Sequence, residues 1–169
     1  MTLEETLAQI KPLDKNAMDV AAKRWDSIAK PLHSLGKMEK LVIQIAGITG
    51  NPDMKIQKRA LVPMCADNGV VEEGVTQTGQ EVTAIVAENF LSGDTSACVM
   101  SRQCGTKVIP VDIGMAVDTK VSKELKVAYG TANMTKGPAM TRAQAVQALE
   151  AGIEMVRRLK EEGYGLLAT

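Results

Sequence analysis

The sequence predicts an α/β fold in which a parallel sheet is flanked by helices, with a small helical appendage at the N-terminal end. Short apolar runs at residues 60–66, 107–113 and 166–169 alternate with helical patterns, and such alternation is typical of parallel strands joined by right-handed crossovers. The first 55 residues show helical patterns with no strand between them. We therefore predict a helical appendage over residues 1–55 and an α/β part over residues 56–169 that ends after its third strand.

The appendage is predicted to consist of helices only. Leu3, Leu7 and Ile10 recur at helical spacing, and residues 2–29 are predicted to form one or two helices that end before Pro31. A further helix is expected from Ser34 to the glycines at positions 47 and 50.

The α/β part begins with a strand and two helices. The run at residues 60–66 leads into Asp-Asn-Gly, as a buried parallel strand followed by a loop does. Thr78 and Glu81 stand three apart before an amphipathic stretch, which predicts a capping box. Either Asp94 or Ser92 is expected to cap the next helix, which ends at Gly105.

A second strand, an irregular segment, a long helix and a third strand follow. Residues 107–113 form the second apolar run, and residues 114–140 show no clear periodicity. Thr141 and Gln144 predict a capping box at the start of a helix that Gly163 closes. Its predicted apolar face consists of Val146, Leu149, Ile153, Val156 and Leu159. Residues 166–169 begin the third strand.

Composition excludes several classes of function. The 169 residues carry 20 basic and 20 acidic side chains, and aromatic residues make up 2%, which argues against nucleic acid as a partner. No apolar stretch is long enough to cross a membrane, and the acidic start lacks the basic residues of a secretion signal. We predict a cytoplasmic protein. Three cysteines without a CxxC pair and one histidine predict no metal site, and no motif predicts a cofactor.

Residues that follow the first two predicted strands are the candidates for ligand contact. Ligands of open α/β sheets bind beyond the carboxyl ends of the strands, which selects Asp67, Asn68 and Gly69 after the first strand and Asp112 in the second. Asp67 either polarises a ligand group or holds its own turn with Gly69. Two oxygen ligands without further partners are too few for a metal ion.

The small-residue segment at residues 130–140 is a second candidate. It contains Gly137 and Pro138 and runs into the N-terminus of the long helix, where backbone N–H groups can bind an anion. A plain connecting loop is the alternative, and the segment lacks the glycine spacing of dinucleotide and P-loop sites. Glu72 and Glu73 are either acid/base groups or solvated loop residues, and His33 is expected to be structural.

Several motifs together resemble one enzyme family over nearly the whole chain. Residues 30–36 resemble Lys-Pro-Pro-Gly-Ser-Leu-Gly, with Leu32 and His33 in place of the second Pro and first Gly, and residues 66–75 resemble Ala-Asp-His-Gly-Val followed by Glu-Gly-Val. The remaining matches are Val82, Thr83, Asn89, Val111, Asp112, Ile113, Gly114, Gly137, Pro138, Ala139 and Met140. In this combination they resemble the N-terminal part of the nicotinate-nucleotide:dimethylbenzimidazole phosphoribosyltransferases.

The resemblance implies a Rossmann-like sheet, a homodimer and a specific reaction. In that reaction phosphoribose passes from nicotinate mononucleotide to a nitrogen of dimethylbenzimidazole, and nicotinate is released, as a step of cobamide (vitamin B12) biosynthesis. The family's catalytic glutamate and its phosphate-binding loop belong to the half that follows Thr169, so the resemblance implies no catalytic residue in this chain.

Two residues correspond to the family's base pocket. Its serine maps to Thr78, which keeps a hydroxyl, and its glutamine maps to Val86, which cannot form a hydrogen bond. This difference predicts a more apolar benzimidazole or a phenol as the base. Three interpretations stay open: part of the transferase, a non-catalytic base-binding or regulatory protein, or one subunit of a split enzyme. An uncovered third strand predicts self-association or a complementing C-terminal half as partner.

Overall fold

The computed structural model describes residues 1–169, which form two compact units. One unit comprises residues 8–56, and the other comprises residues 1–7 together with residues 57–169. The short helix α1 (Leu3–Ala8) begins in the second unit, where the Leu3 amide donates to the Glu150 carboxylate at 3.0 Å. The first seven residues thus group with the α/β part, whereas the predicted appendage covers residues 1–55. The division between residues 56 and 57 lies one residue after the predicted one. No helix is long and apolar enough to span a lipid bilayer.

The unit of residues 8–56 is built on two packed helices, α2 (Lys15–Ser27) and α3 (Lys37–Thr49). Asp14 caps α2, since its carboxylate accepts from the Ala17 amide at 3.0 Å. The two helices approach closely at Gly47, where a Cβ atom would lie 2.6 Å from the Met18 side chain. Helices were therefore predicted correctly here, although α3 begins at Lys37 and not at Ser34.

Parallel strands form the centre of the α/β unit, as predicted. The strands are β1 (Arg59–Leu61), β2 (Met64–Ala66), β3 (Thr106–Val108), β4 (Val111–Gly114) and β5 (Leu166–Ala168). They are arranged as β3-β1-β5 and β2-β4, and every pairing is parallel.

Each of the first two predicted strands is interrupted by a proline. Pro63 separates β1 from β2, and Pro110 separates β3 from β4, because a proline has no N–H for the ladder. The chain direction nevertheless continues across both breaks. The Val111 amide donates to the Pro63 carbonyl at 2.9 Å, and the Ile109 amide donates to the Leu61 carbonyl at 2.9 Å.

Helices α4 (Glu81–Ser92), α5 (Ser96–Gln103) and α6 (Arg142–Glu161) complete the unit. Leu159 of α6 joins one buried cluster with Ala60, Val62, Val111 and Tyr164. Ala87 of α4 joins a second cluster with Cys65, Met115 and Val121. Leu149 and Val156, predicted on the buried face of α6, are 55% and 54% exposed, so this part of the predicted apolar face has no cover in the unit.

The helix starts separate one correct prediction from two wrong ones. Thr141 and Gln144 form the predicted capping box, with the Thr141 amide donating to the Gln144 side chain at 2.8 Å. Thr78 caps nothing, because α4 begins at Glu81 itself, after Gln80. The cap of α5 is Thr95, whose hydroxyl accepts from the Cys98 amide at 3.1 Å.

The expected caps of α5 bond to each other instead. The Ser92 hydroxyl donates to the Asp94 carboxylate at 2.6 Å. Both residues therefore lie before the true start of the helix.

Candidate functional site

The strands β2 and β4 end side by side, and Asp67 follows the first of them. Its side chain is buried, and its carboxylate accepts a hydrogen bond from the Ala116 amide at 2.7 Å. Its backbone carbonyl accepts from the Thr131 amide at 3.0 Å. Asp67 therefore connects its own strand end to two points of the segment that follows β4.

Asp112, the second strand-end aspartate, is fully buried. One carboxylate oxygen accepts from the Met115 amide at 2.9 Å, and the other lies 2.9 Å from the Lys126 ammonium group. Both oxygens thus contact the protein itself, and Asp112 stabilises the segment after β4.

Lys126 was not singled out by the sequence, and its ammonium group is the centre of this arrangement. The side chain is 6% exposed and donates to the carbonyls of Met115 and Val117 at 3.1 Å each. It also lies 4.0 Å from the centre of the Tyr129 ring. Burial acts to lower the pKa of Lys126, but the hydrogen bonds and charges of Asp112 and Asp118 together outweigh burial and raise it.

A large cleft of about 590 Å³ opens beside these strand ends. Its wall is mostly apolar, with Thr131, Thr141, Arg142 and Gln144 as the polar exceptions. We call it the large cleft, and its lining is Ala66, Ile113, Gly114, Val127, Ala128, Gly130, Thr131, Ala132, Pro138, Ala139, Met140, Thr141, Arg142, Gln144 and Ala148. Of the residues predicted near a ligand, Pro138 lines this cleft and Gly137 does not.

The N-terminus of α6 can attract an anion through Arg142 more than through its first amides. The amides of Thr141 and Gln144 are used by the capping box. Arg142 contributes a positive charge to the same wall. This charge and the positive end of the helix dipole both favour an anion at this end.

A second cleft of about 400 Å³ lies between β2 and α4. We call it the Val86 cleft, and its lining is Pro63, Met64, Cys65, Ala66, Val82, Thr83, Val86, Ala87 and Phe90. Val86 therefore lines a cavity, whereas Thr78, the other predicted base contact, does not. Ala66 is shared by both clefts.

Asn68 and Gly69 begin a short 3-10 helix (Gly69–Glu73) that packs on the segment at residues 130–140. Gly69 has no room for a side chain, because a Cβ atom would lie 2.6 Å from the Thr131 carbonyl oxygen. Asn68 has an exposed side chain, and its carbonyl accepts from the Gln80 side chain at 3.2 Å. The Gly69 amide donates to the Thr131 hydroxyl at 3.2 Å, which joins the two segments.

The adjacent glutamates reinforce the same junction. The Asn133 amide group donates to the Glu73 carboxylate at 2.6 Å. Lys136 lies 2.9 Å from Glu72, and its hydrogen bond and charge lower the pKa of that carboxyl. Glu72 and Glu73 thus engage the 130–140 segment.

Metal-ligating side chains do not cluster in this chain. No three His, Cys, Asp or Glu side chains converge to hold a metal ion. His33 lies in the helical unit at φ 58°, with Nδ1 3.7 Å from the buried Glu39. Burial raises the pKa of Cys65, and the charge of Asp112 adds to the effect, so this thiol stays protonated at neutral pH.

Comparison with known proteins decides the family. A family model described as Phosphoribosyltransferase matches residues 10–169. The chain belongs to this family. Among its curated relatives, the nicotinate-nucleotide–dimethylbenzimidazole phosphoribosyltransferase of Clostridium tetani is 49% identical over 99% of this chain and 47% of its own length. The enzyme of that name from Ruminiclostridium cellulolyticum is 46% identical over the whole chain and 49% of its own length.

Solved structures of this phosphoribosyltransferase family agree with the fold. The nicotinate-nucleotide-dimethylbenzimidazole phosphoribosyltransferase of Thermus thermophilus superimposes with a TM-score of 0.83 at 35% identity, over 92% of this chain and 48% of its own. A structure named CobT from the same organism gives 0.80 at 35% identity, over 90% of this chain and 46% of its own. The chain thus spans about half the length of the relatives it matches.

Proposed function

We propose that this chain provides binding surfaces for two substrates of a phosphoribosyl transfer in cobamide biosynthesis. In that reaction phosphoribose moves from nicotinate mononucleotide to dimethylbenzimidazole or a related base. The observation that carries the proposal is that Ala66, at the end of β2, lines both clefts. A transfer reaction needs two substrates side by side, and ligands of α/β proteins bind at this edge of the sheet.

The two clefts differ in the ligand that each suits. Both volumes fall within the roughly 300–1,000 Å³ of small-molecule sites. The Val86 cleft is apolar and suits a flat base, whereas the large cleft also offers the Arg142 guanidinium for an anionic nucleotide. The acceptor base is therefore assigned to the Val86 cleft and the nucleotide to the large cleft.

The chemistry requires a group that neither cleft contains. A base nitrogen attacks C1′ of the ribose, nicotinate leaves with the bonding electrons, and the proton on the second base nitrogen must be taken up. Neither cleft is lined by an Asp, Glu or His residue, so this chain supplies binding surfaces and no general base. Residues from the part of the relatives that the chain does not span complete the site.

Exposed apolar residues support association with a second chain. Leu149 and Val156 lie seven residues apart on α6 and are more than half exposed, and Leu166 of the edge strand β5 is 46% exposed. The unpaired outer edge of β5 and the exposed apolar face of α6 each favour association with another chain. A complementing C-terminal half or a second copy is the proposed partner. Three unpaired cysteines are consistent with the cytoplasm as the compartment.

The lack of acid/base groups also favours a second candidate function, a non-catalytic base-binding protein. Calorimetric titration with dimethylbenzimidazole, p-cresol and nicotinate mononucleotide, followed by an assay for nicotinate release, separates the two. Base binding without release is the result expected for the isolated chain under both functions. Release on adding a separately produced C-terminal half of a relative supports the transferase and contradicts the non-catalytic alternative.

The shared wall gives a sharper test of the two-cleft arrangement. The substitution Ala66→Val adds two methyl groups to the residue that lines both clefts. It is expected to weaken the binding of both the base and the nucleotide. Ala143→Val, at an exposed position outside both clefts, is the matched control and is expected to change neither. Weaker binding of only one of the two ligands would contradict the proposal that Ala66 forms a wall of both sites.

A further inference from the structure

Thr83 differs from every other residue that lines the Val86 cleft. The cleft is formed by aliphatic, aromatic, proline and sulfur-containing side chains, and Thr83 alone contributes a hydroxyl. The residue is partly buried on the first turn of α4. A ligand in this cleft therefore meets one side-chain oxygen.

The Thr83 hydroxyl has no hydrogen-bond partner within the protein. For Thr83 the residue four positions earlier is Gly79, which precedes α4, whereas a threonine further inside a helix commonly donates to that carbonyl. Thr49 of α3 does so, with its hydroxyl 2.9 Å from the Ile45 carbonyl oxygen. The Thr83 hydroxyl has both its donor and its acceptor capacity left for a ligand.

The other side chain of the cleft that can donate a hydrogen bond already has a partner. The Cys65 thiol lies 3.7 Å from the Pro63 carbonyl oxygen, to which it donates. It is also a weak donor and acceptor compared with a hydroxyl. Cys65 thus adds little to the recognition of a polar atom.

We infer that Thr83 determines which acceptor this chain prefers, by hydrogen bonding to the single polar edge of an otherwise apolar aromatic ring. The inference rests on the proposed function, in which the acceptor occupies the Val86 cleft. Either an imidazole nitrogen or a phenol hydroxyl satisfies the Thr83 hydroxyl, while Met64, Val82 and Phe90 contact the apolar remainder of the ring. Rings with a polar group on two opposite edges are disfavoured, because the apolar wall leaves the second group without a partner.

The test compares ligands that differ by one polar group. Binding of p-cresol and toluene is measured for the unchanged chain and for Thr83→Val, which replaces the hydroxyl with a methyl group of similar size. The expected loss is about two- to tenfold for p-cresol, as for one neutral hydrogen bond, with no loss for toluene. Thr83→Ser is expected to retain the preference for p-cresol. Thr49→Val, the same substitution at a threonine of α3 that does not line the cleft, is the matched control.

The outcomes separate this inference from the function on which it rests. If neither ligand nor dimethylbenzimidazole binds the unchanged chain, the proposed function fails and the inference fails with it. If the ligands bind, and Thr83→Val weakens the binding of p-cresol and toluene equally or leaves both unchanged, Thr83 is a packing residue. In that case the inference alone is overturned.

Discussion

The large cleft and the Val86 cleft share Ala66 but are held in shape by different interactions. The segment that forms one wall of the large cleft depends on buried charge: Asp67 accepts from Ala116, and Asp112 pairs with Lys126. The Val86 cleft is lined by uncharged side chains of β2 and α4. Ionised groups thus hold the segment that forms a wall of the large cleft. The linings that both clefts present to a ligand are largely apolar.

This difference is instructive for strand-end aspartates in general. Their position at the carboxyl edge of a parallel sheet makes them candidates for ligand contact. In this chain their oxygens accept from backbone amides or pair with a buried lysine. A buried carboxylate is tolerated when it is fully paired, so such residues position loops without facing a ligand.

The largest expected effect comes from removing the buried cation. Lys126→Met leaves Asp112 charged and without its partner, and the expected loss is about 3–5 kcal/mol of the free energy of unfolding. Urea unfolding followed by circular dichroism measures it. Lys123→Met, which removes an exposed lysine paired with Asp118, is the control and should have a much smaller effect.

A double variant distinguishes the charge from the packing of the lysine side chain. Asp112→Asn combined with Lys126→Met removes the unpaired charge and should recover part of the lost stability. Equal stability of Lys126→Met and Lys123→Met would show that the ion pair does not hold the segment after β4.

The next effect concerns the contact between the segments after β2 and before α6. Gly69→Ala places a Cβ atom 2.6 Å from the Thr131 carbonyl oxygen and 2.7 Å from the Asn133 nitrogen. Because both are backbone atoms, the segments must move apart, at a cost of about 1–3 kcal/mol. Gly137→Ala has no atom within 4 Å of the added Cβ and should leave the thermal unfolding midpoint almost unchanged.

A smaller effect distinguishes a true helix cap from an apparent one. Thr141→Ala removes the capping box of α6 and is expected to cost about 1 kcal/mol. Thr78→Ala changes a residue that caps no helix, so its unfolding midpoint in urea should match that of the unchanged protein. A loss at Thr78 as large as that at Thr141 would contradict the observed start of α4.

The elements were predictable where the signal is local. Continuous apolar runs located the strands, and the Thr141–Gln144 spacing located the start of α6, because both depend on neighbours in sequence. The prolines at positions 63 and 110 divide each predicted strand, yet the apolar runs continue through them. The Thr78–Glu81 spacing was misleading. A capping box needs its Glu or Gln as the third residue of the helix, and Glu81 is the first residue of α4.

The site was less predictable because its contacts join distant segments. The resemblance pointed to Val86, which lines a cleft. Lys126 carries no sequence signal, and Thr83 is marked in the sequence only as one of the family matches. The role of Lys126 depends on Asp112, 14 residues earlier and on a strand, and that of Thr83 depends on a hydroxyl left without a partner. Both are consequences of packing, which residue spacing does not encode.

The smallest expected effect sharpens the contrast between buried and exposed charge around the large cleft. Asp118 is partly exposed, and hydrogen bonds from Lys123 and Tyr129 lower its pKa from 3.8 to about 2. A lowered carboxyl pKa contributes stability that is present above pH 3.8 and is lost as the pH falls through 2. The unfolding midpoint in urea, measured from pH 6 to pH 2, should therefore fall less steeply below pH 4 for Asp118→Asn than for the unchanged protein. Parallel curves for the two proteins would mean that these hydrogen bonds do not persist in solution, and that the wall depends on Asp112 and Lys126 alone.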